Sequence, residues 1–124
     1  QSPLYPYSGL NSKRQNMVNI PVPAHSNGEM IRALVRNSWL PALEAFRPEF
    51  IFISAGFDAH EADMLAQLEL VEEDYAWITT ELVQVAKKHA QGRMVSCLEG
   101  GYHLGALASS SLAHVQALMK AVSE

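Results

Sequence analysis

Apolar residues recur at helical spacing in three stretches of this chain. The first stretch begins at Glu29, and Asn27 stands just before it as a candidate helix cap. Its apolar positions are Ile31, Leu34, Val35, Trp39, Leu40, Leu43 and Phe46. Pro41 lies inside this run and predicts a kink or a new helical turn, because proline has no N–H for a helical hydrogen bond. The sequence therefore predicts a helix over residues 29–46 that is interrupted at Pro41.

The second stretch begins with three acids at 72–74, where negative charge stabilises the positive end of a helix dipole. Its predicted core side consists of Tyr75, Ile78, Leu82, Val85 and Ala86. Basic residues at 87–89 favour the other end of the dipole, and Gly92 is predicted as the C′ residue. A last helix is predicted over residues 104–122.

Short apolar runs that precede these helices are typical of strands. Residues 50–53 (Phe-Ile-Phe-Ile) and 94–98 (Met-Val-Ser-Cys-Leu) predict strands that are buried on both faces. The run at 17–22 contains Pro21, which cannot donate to a sheet, so it predicts an edge strand or a strand end. Residues 57–71 are predicted to be irregular or to hold one short turn of helix. Alternation of strands and helices predicts an α/β fold, a parallel sheet with helices on both faces.

Composition narrows the class of protein. The chain has 124 residues, 48% of them hydrophobic, which is typical of a globular domain. Nine basic and thirteen acidic residues leave a net charge of −4, which argues against direct nucleic-acid binding. No apolar run approaches the roughly 18 residues of a membrane span. The one cysteine, Cys97, cannot form an internal disulfide and predicts a cytoplasmic, reducing environment.

Three features indicate a part of a larger domain. The chain begins at Gln1 without an initiator methionine or an apolar signal segment, and charged residues are 18% of it, below the usual share of about 25%. Three predicted strands are also few for a free-standing doubly wound sheet. We therefore interpret residues 1–124 as one partial domain, with an exposed sheet edge available for oligomer formation.

Candidate chemistry lies in the loops that follow the two central strands, because ligands gather at the carboxyl ends of parallel strands. Residues 54–60 (Ser-Ala-Gly-Phe-Asp-Ala-His) place Asp58 after a glycine that permits a sharp turn. Asp58 is a candidate oxygen ligand for a metal, with His60 two residues away. The alternative is that Asp58 caps the next turn and that His60 is a partly exposed loop residue.

The second loop contains Gly100, Gly101 and Tyr102 directly after Glu99. Paired glycines allow a substrate to approach the backbone closely, and the tyrosine hydroxyl could donate a hydrogen bond to an oxyanion. The alternative is a tight turn with the tyrosine ring packed over it. Glu99 is expected to be a solvated turn residue.

Other residues that can carry chemistry are interpreted as structural. Cys97 lies in an apolar strand and is expected to be an inert core thiol. His25, His89 and His114 are expected to be structural, as are Trp39 and Trp77, and Ser109, Ser110 and Ser111 match no nucleophile motif.

Taken together, residues 54–60, 98–102 (Leu-Glu-Gly-Gly-Tyr) and 72–75 (Glu-Glu-Asp-Tyr) resemble the C-terminal part of the histone deacetylase family. The similarity is greatest to bacterial and class II-like members. Residues 5–9 (Tyr-Pro-Tyr-Ser-Gly) and 19–23 (Asn-Ile-Pro-Val-Pro) are similar to the preceding segment of the family, so the resemblance spans nearly the whole chain.

This resemblance implies an arginase-like three-layer fold and a zinc-dependent amidohydrolase that removes acetyl groups from lysine side chains or polyamines. It implies that Asp58 is a zinc ligand, that Tyr102 hydrogen-bonds the substrate carbonyl, and that Gly100 and Gly101 line the acyl-lysine channel. His60 matches a position at which the family varies, so we do not assign it as a ligand.

The chain departs from the family pattern in two respects. Met64, Ala66 and Gln67 stand where relatives often carry a Pro-Leu-Gly-Gly-like loop. We therefore do not carry over the family's pocket rim or its substrate preference to this chain. The family's His-His pair and its Asp-x-His zinc ligands match no residues here, so we expect the isolated chain to be inactive. The competing hypothesis is a non-catalytic α/β assembly or regulatory module.

Overall fold

The computed structural model describes residues 16–120. The elements, in chain order, are α1 (Gly28–Leu34), a π-helical turn (Val35–Trp39), α2 (Leu40–Phe46), β1 (Ile51–Ala55), α3 (Glu72–His89), β2 (Met94–Leu98) and α4 (Leu104–Lys120). Residues 57–71 form turns and isolated bridges, as predicted. The last two positions of the predicted final helix lie outside the described residues. No helix within residues 16–120 is long and apolar enough to cross a membrane.

The first predicted helix is interrupted where the proline requires it. The Asn27 side chain caps α1 by accepting a hydrogen bond from the Met30 N–H at 3.1 Å. Pro41 lies in the first turn of α2, and the turn before it is widened, with the Leu40 N–H donating to the Val35 carbonyl. A wider turn accommodates the proline ring, which would otherwise clash with the preceding turn. The helix run ends at Arg47, which has a left-handed backbone (φ 55°).

The sheet of the described residues contains two parallel strands. β1 and β2 pair from Ile51 opposite Met94 to Ala55 opposite Leu98. The strand predicted at 17–22 does not form, so that prediction is wrong. Pro21 lacks a backbone N–H, which removes a donor from any ladder that this segment could join.

Helices cover one face of this sheet, and among residues 16–120 no element covers the other face. Ile51 is buried against Val85 and Ala86 of α3. Phe52, which points the other way, is 77% exposed. Cys97 lies on that open face and is exposed, so the expectation of a buried thiol is wrong.

The imidazole of His114 joins three elements on the covered face. Its Nδ1 lies 2.7 Å from Thr79 Oγ1 in α3, and its Nε2 lies 2.8 Å from Ser96 Oγ in β2. The Thr79 hydroxyl donates to the Tyr75 carbonyl, so it accepts from His114 Nδ1. Burial lowers the pKa of His114, which keeps the ring neutral and gives this histidine a structural role.

The start of α3 agrees with the prediction, whereas its end differs in one detail. Asp74 is buried in the first turn, where it accepts hydrogen bonds from the Val71 N–H at 2.9 Å and from Arg32 Nε at 2.7 Å. At the other end Ala90 caps the helix, so the C′ residue is Gln91 (φ 54°) and not Gly92. The Gly92 N–H donates to the Ala86 carbonyl at 2.9 Å, which holds the chain against the end of the helix.

Candidate functional site

The two candidate loops meet at one end of the sheet. Hydrogen bonds continue between them beyond the strands, because the Glu99 N–H donates to the Ala55 carbonyl at 2.9 Å and the Phe57 N–H donates to the Gly100 carbonyl at 2.8 Å. Parallel strands end on the same side, and their following loops therefore emerge together. The structure thus brings the predicted site residues of both loops to one edge.

The carboxylate of Asp58 lies against the backbone of Gly100. A Cβ at position 100 would stand 2.9 Å from the Asp58 carboxyl carbon, and a Cβ at Gly56 would stand 3.1 Å from Asp58 Oδ1. Asp58 is half-buried, and among residues 16–120 no hydrogen bond or ion pair reaches its carboxylate. The capping role considered for Asp58 is therefore absent among these residues. A half-buried carboxylate without a partner is suited to a cation.

His60 lies in the same loop, but its ring is directed elsewhere. Its Nδ1 accepts a hydrogen bond from the Ala62 N–H at 3.0 Å. Its Nε2 is buried and lies 3.3 Å from Glu72 Oε2, without the alignment of a hydrogen bond. Within the described part of the chain, no three His, Cys, Asp or Glu side chains are grouped so that they could hold a metal ion. Asp58 is accordingly one candidate ligand, and these residues do not complete its site.

Glu72 occupies the centre of a small polar cluster at the start of α3. The Ser109 hydroxyl of α4 donates to Glu72 Oε1, and this bond, with a smaller contribution from His60, lowers the pKa of Glu72. The carboxylate stands between the serine and the histidine. Since the imidazole cannot take the serine proton in this order, the cluster is not a nucleophile and base pair.

Tyr102 is exposed at the edge of the site. The residue is 64% exposed. Its ring therefore does not pack over the glycine turn, which was the alternative considered from the sequence. The preceding Gly101 has φ 137°, a conformation that residues with a side chain rarely adopt. A Cβ there would also stand 2.9 Å from Leu107 Cδ1. Gly101 is thus required by the backbone of the turn that presents Tyr102.

Sequence reasoning missed Asp63, which is only 4% exposed and links the two loops. Its Oδ1 accepts from the Leu65 N–H at 3.0 Å, and its Oδ2 accepts from the N–H groups of Tyr102 at 2.7 Å and His103 at 3.1 Å. These bonds, the one from Leu65 foremost, hold the pKa of Asp63 below its ordinary value. The bond to Leu65 is an Asx turn, a pattern that the sequence could have suggested. The bonds to residues 102 and 103 depend on the fold.

Tyr75 supports the first loop from below. Its buried hydroxyl donates to the Phe57 carbonyl at 3.2 Å, next to Asp58. Burial, together with the nearby negative charge of Asp58, raises the pKa of Tyr75, so the hydroxyl stays protonated. The Phe57 ring packs edge-on against Tyr75 with ring centres 5.1 Å apart. Aromatic packing and a buried hydrogen bond therefore hold the backbone that carries Asp58.

The chain is 45% identical over 104 residues to type-2 histone deacetylase 1 of Dictyostelium discoideum. The matched region covers 83% of this chain and 7% of that protein. The chain is also 36% identical over 125 residues to a probable deacetylase of Archaeoglobus fulgidus, covering 95% of this chain and 35% of that protein. The chain thus spans much less than half the length of these curated relatives.

Solved structures agree with the sequence relatives. The crystal structure of the HDA15 HD domain matches with a TM-score of 0.73 and 29% identity, over 80% of this chain and 27% of that one. The histone deacetylase Clr3 matches with a TM-score of 0.72 and 28% identity, over 79% of this chain and 16% of that one. The predicted α/β class of the arginase-deacetylase type is confirmed by these neighbours. The histone deacetylase domain family matches residues 1–118, and the chain therefore belongs to the histone deacetylase family.

Proposed function

We propose that the full-length protein is a zinc-dependent amidohydrolase that removes acetyl groups from lysine side chains or from acetylpolyamines. Residues 1–124 would form the C-terminal segment of its catalytic domain. Family membership supports a deacetylase. The observation that carries the proposal is the contact between the Asp58 carboxylate and the Gly100 backbone, at the sheet edge where Tyr102 is exposed.

Asp58 would supply one ligand to the metal. Catalytic zinc commonly has about three protein ligands and an open position, so the other ligands would come from outside residues 16–120. The half-buried carboxylate, which has no partner among the described residues, fits this role. When bound, zinc would supply a Lewis acid for the amide carbonyl and the attacking water.

Tyr102 would donate a hydrogen bond from its hydroxyl to the carbonyl oxygen as negative charge develops there. Its exposed side chain is free to reach a substrate. Gly100 and Gly101 would leave room for a narrow acyl chain beside the backbone. Met64 in the loop after β1 and Leu104 at the start of α4, which are 90% and 80% exposed, would offer apolar surface to the methylene groups of the substrate.

The test measures acetate release by the purified full-length protein with zinc. Substrates are an acetyl-lysine peptide and an N-acetylpolyamine, and the unacetylated peptide is the control. We expect release that a zinc chelator abolishes and that added zinc restores. A full-length protein that releases no acetate from any substrate of either class would overturn the proposal. The ratio of the two rates identifies the substrate class.

A second candidate function, that of a non-catalytic assembly module, is favoured by the open face and edge of the sheet. An apolar groove of about 600 Å³ runs beside β1, and Trp39, Phe46 and Phe52 line part of it. In this case the groove and the free strand edge would bind a second copy of the chain. Light scattering tests the idea, because a clean monomer at high concentration would remove its support.

We also propose that the full-length protein is cytoplasmic. Its basis is the one cysteine of the chain, which lies exposed in the structure. An exposed free thiol is compatible with a reducing compartment. Fractionation of cells that express the full-length protein tests the location.

A further inference from the structure

We infer that Asp63 is a positioning residue for Tyr102, which acts by anchoring the backbone of the second loop to the first. This inference rests on the proposed function, in which the Tyr102 hydroxyl stabilises the reacting carbonyl. Asp63 itself would not contact the substrate. It fixes the position of the Tyr102 backbone, from which the side chain extends.

Both oxygens of the Asp63 carboxylate are used. Oδ1 accepts from the Leu65 N–H in its own loop, and Oδ2 accepts from the Tyr102 N–H across the site. A third bond comes from the His103 N–H. Hydrogen bonds to an ionised carboxylate are shorter and stronger than those between neutral groups, and Asp63 is 4% exposed, so water competes little.

The exposure of Tyr102 makes this anchor important. A packed ring would be held by its neighbours, but Tyr102 is 64% exposed and has little packing of its own. The residue before it, Gly101, has the backbone freedom of glycine. The Asp63 bonds therefore restrict a segment whose side chain and preceding residue restrict it little.

The anchor also connects the two halves of the proposed site. Asp58 and Asp63 lie in the loop after β1, whereas Tyr102 lies in the loop after β2. Hydrogen bonds from Asp63 of the first loop to the Tyr102 backbone would keep the Tyr102 hydroxyl at a fixed position relative to the Asp58 carboxylate. A small displacement of a catalytic group can reduce the rate about a hundredfold, so loss of these hydrogen bonds should lower turnover.

The experiment uses the full-length protein and the substitution Asp63→Asn. Asparagine has the same shape, but it presents one acceptor oxygen where the carboxylate has two, so at least one set of N–H groups loses its partner. We expect kcat to fall about tenfold to a hundredfold while KM and zinc content stay near the wild-type values. Glu61→Gln, the same chemical change at an exposed residue of the same loop, is the matched control and should retain full activity.

A double-mutant cycle separates positioning from general destabilisation. If Asp63 acts through the Tyr102 hydroxyl, Asp63→Asn should lower kcat much less in a Tyr102→Phe background than in the wild type. Equal losses of kcat in the two backgrounds would overturn the positioning role.

Amide hydrogen exchange gives a readout that does not depend on activity. In Asp63→Asn the amides of Tyr102 and His103 should exchange at least tenfold faster, while those in the middle of α3 are unchanged. Unchanged exchange at residues 102 and 103 would overturn the anchor. If Asp63→Asn does not fold, Asp63→Glu, which displaces the carboxylate by one methylene, is measured in the same way. A wild-type protein without deacetylase activity would refute the proposed function, whereas exchange would still report on the anchor.

Discussion

The carboxylate of Asp58 occupies space that a side chain at position 100 would fill. A Cβ on Gly100 would stand 2.9 Å from the Asp58 carboxyl carbon, which is closer than real Cβ atoms approach such an atom. The parallel register of β1 and β2 brings this about, because Ala55 pairs with Leu98 and the two loops start side by side. The glycine thus makes room for the candidate metal ligand.

Gly100→Ala in the full-length protein should weaken zinc binding. The added methyl group would displace the Asp58 carboxylate from its present position. Because the backbone at Gly100 is not in the left-handed region, the effect should be steric. We expect zinc affinity to fall about tenfold or more, as is typical when the support of a metal ligand is disturbed.

Titration with a zinc-sensitive dye measures this affinity. The matched control is Gly92→Ala, which has nothing within 4 Å of the added atom. The positive φ of Gly92 predicts some loss of stability there, but zinc affinity should not change. Equal zinc affinity in Gly100→Ala and the wild type would contradict the role of Gly100.

Asp58→Ala should remove a direct ligand and reduce both zinc content and acetate release. Substitutions of groups that only support a ligand typically cost about 10- to 100-fold in affinity or activity, so a larger loss is expected here. Metal analysis after dialysis and an acetate assay on the same sample provide the measurement. Full zinc content together with full turnover in this variant would show that the ligand assignment is wrong.

Tyr102→Phe should lower turnover and leave zinc content unchanged. The substitution removes only the hydroxyl, and an oxyanion donor typically contributes about a hundredfold to a thousandfold in rate. Because the ring is largely exposed, we expect little change in the melting temperature. Turnover at the wild-type rate would exclude the hydroxyl from the reaction.

Acidification should destabilise the fold through His114. Burial lowers its pKa in the folded state, so the unfolded chain binds a proton more readily. The contribution of the neutral ring to stability is complete above the unfolded pKa of about 6.5 and is lost as pH falls from there towards the lower folded pKa. Denaturant unfolding of the full-length protein at pH 7.5 and 5.5 measures the change.

The comparison variant is His114→Gln. It loses hydrogen bonds worth about 1 kcal/mol each, so it should be less stable at pH 7.5. Between pH 7.5 and 5.5, however, it should lose less free energy of unfolding than the wild type does. A variant with the same pH dependence as the wild type would show that His114 does not titrate in this range.

The 124-residue chain alone should hold no stoichiometric zinc and show no turnover. Asp58 is its one assigned ligand, and catalytic zinc commonly needs about three protein ligands. A missing proton-transfer pair would lower the rate by a further hundredfold to ten-thousandfold, to judge by typical acid and base catalysis. Metal analysis and an acetyl-lysine assay test both statements. Stoichiometric zinc with turnover would refute this prediction.

Local patterns in the sequence were sufficient for most of the elements. Helical spacing, the Asn27 cap and Pro41 located the interrupted first helix, and the acids at 72–74 located the start of α3. The apolar runs before two glycine-containing loops predicted β1 and β2 and the class of fold. These features depend on backbone geometry and on neighbours a few residues away, so they can be predicted from the chain alone.

The tertiary structure decided which distant groups meet. The Asp63 carboxylate binds N–H groups 39 and 40 residues along the chain, and no local pattern encodes that partnership. Cys97 is exposed. Its exposure could not be predicted, because an apolar run does not show which elements cover each face of a strand. The segment at 17–22 has the apolar residues of a strand, but its Pro21 removes a donor that pairing needs. Long-range hydrogen bonds and burial arise only when the packed elements bring their surfaces together, which is why the sequence predicted the loops of the site and the fold alone revealed the anchor between them.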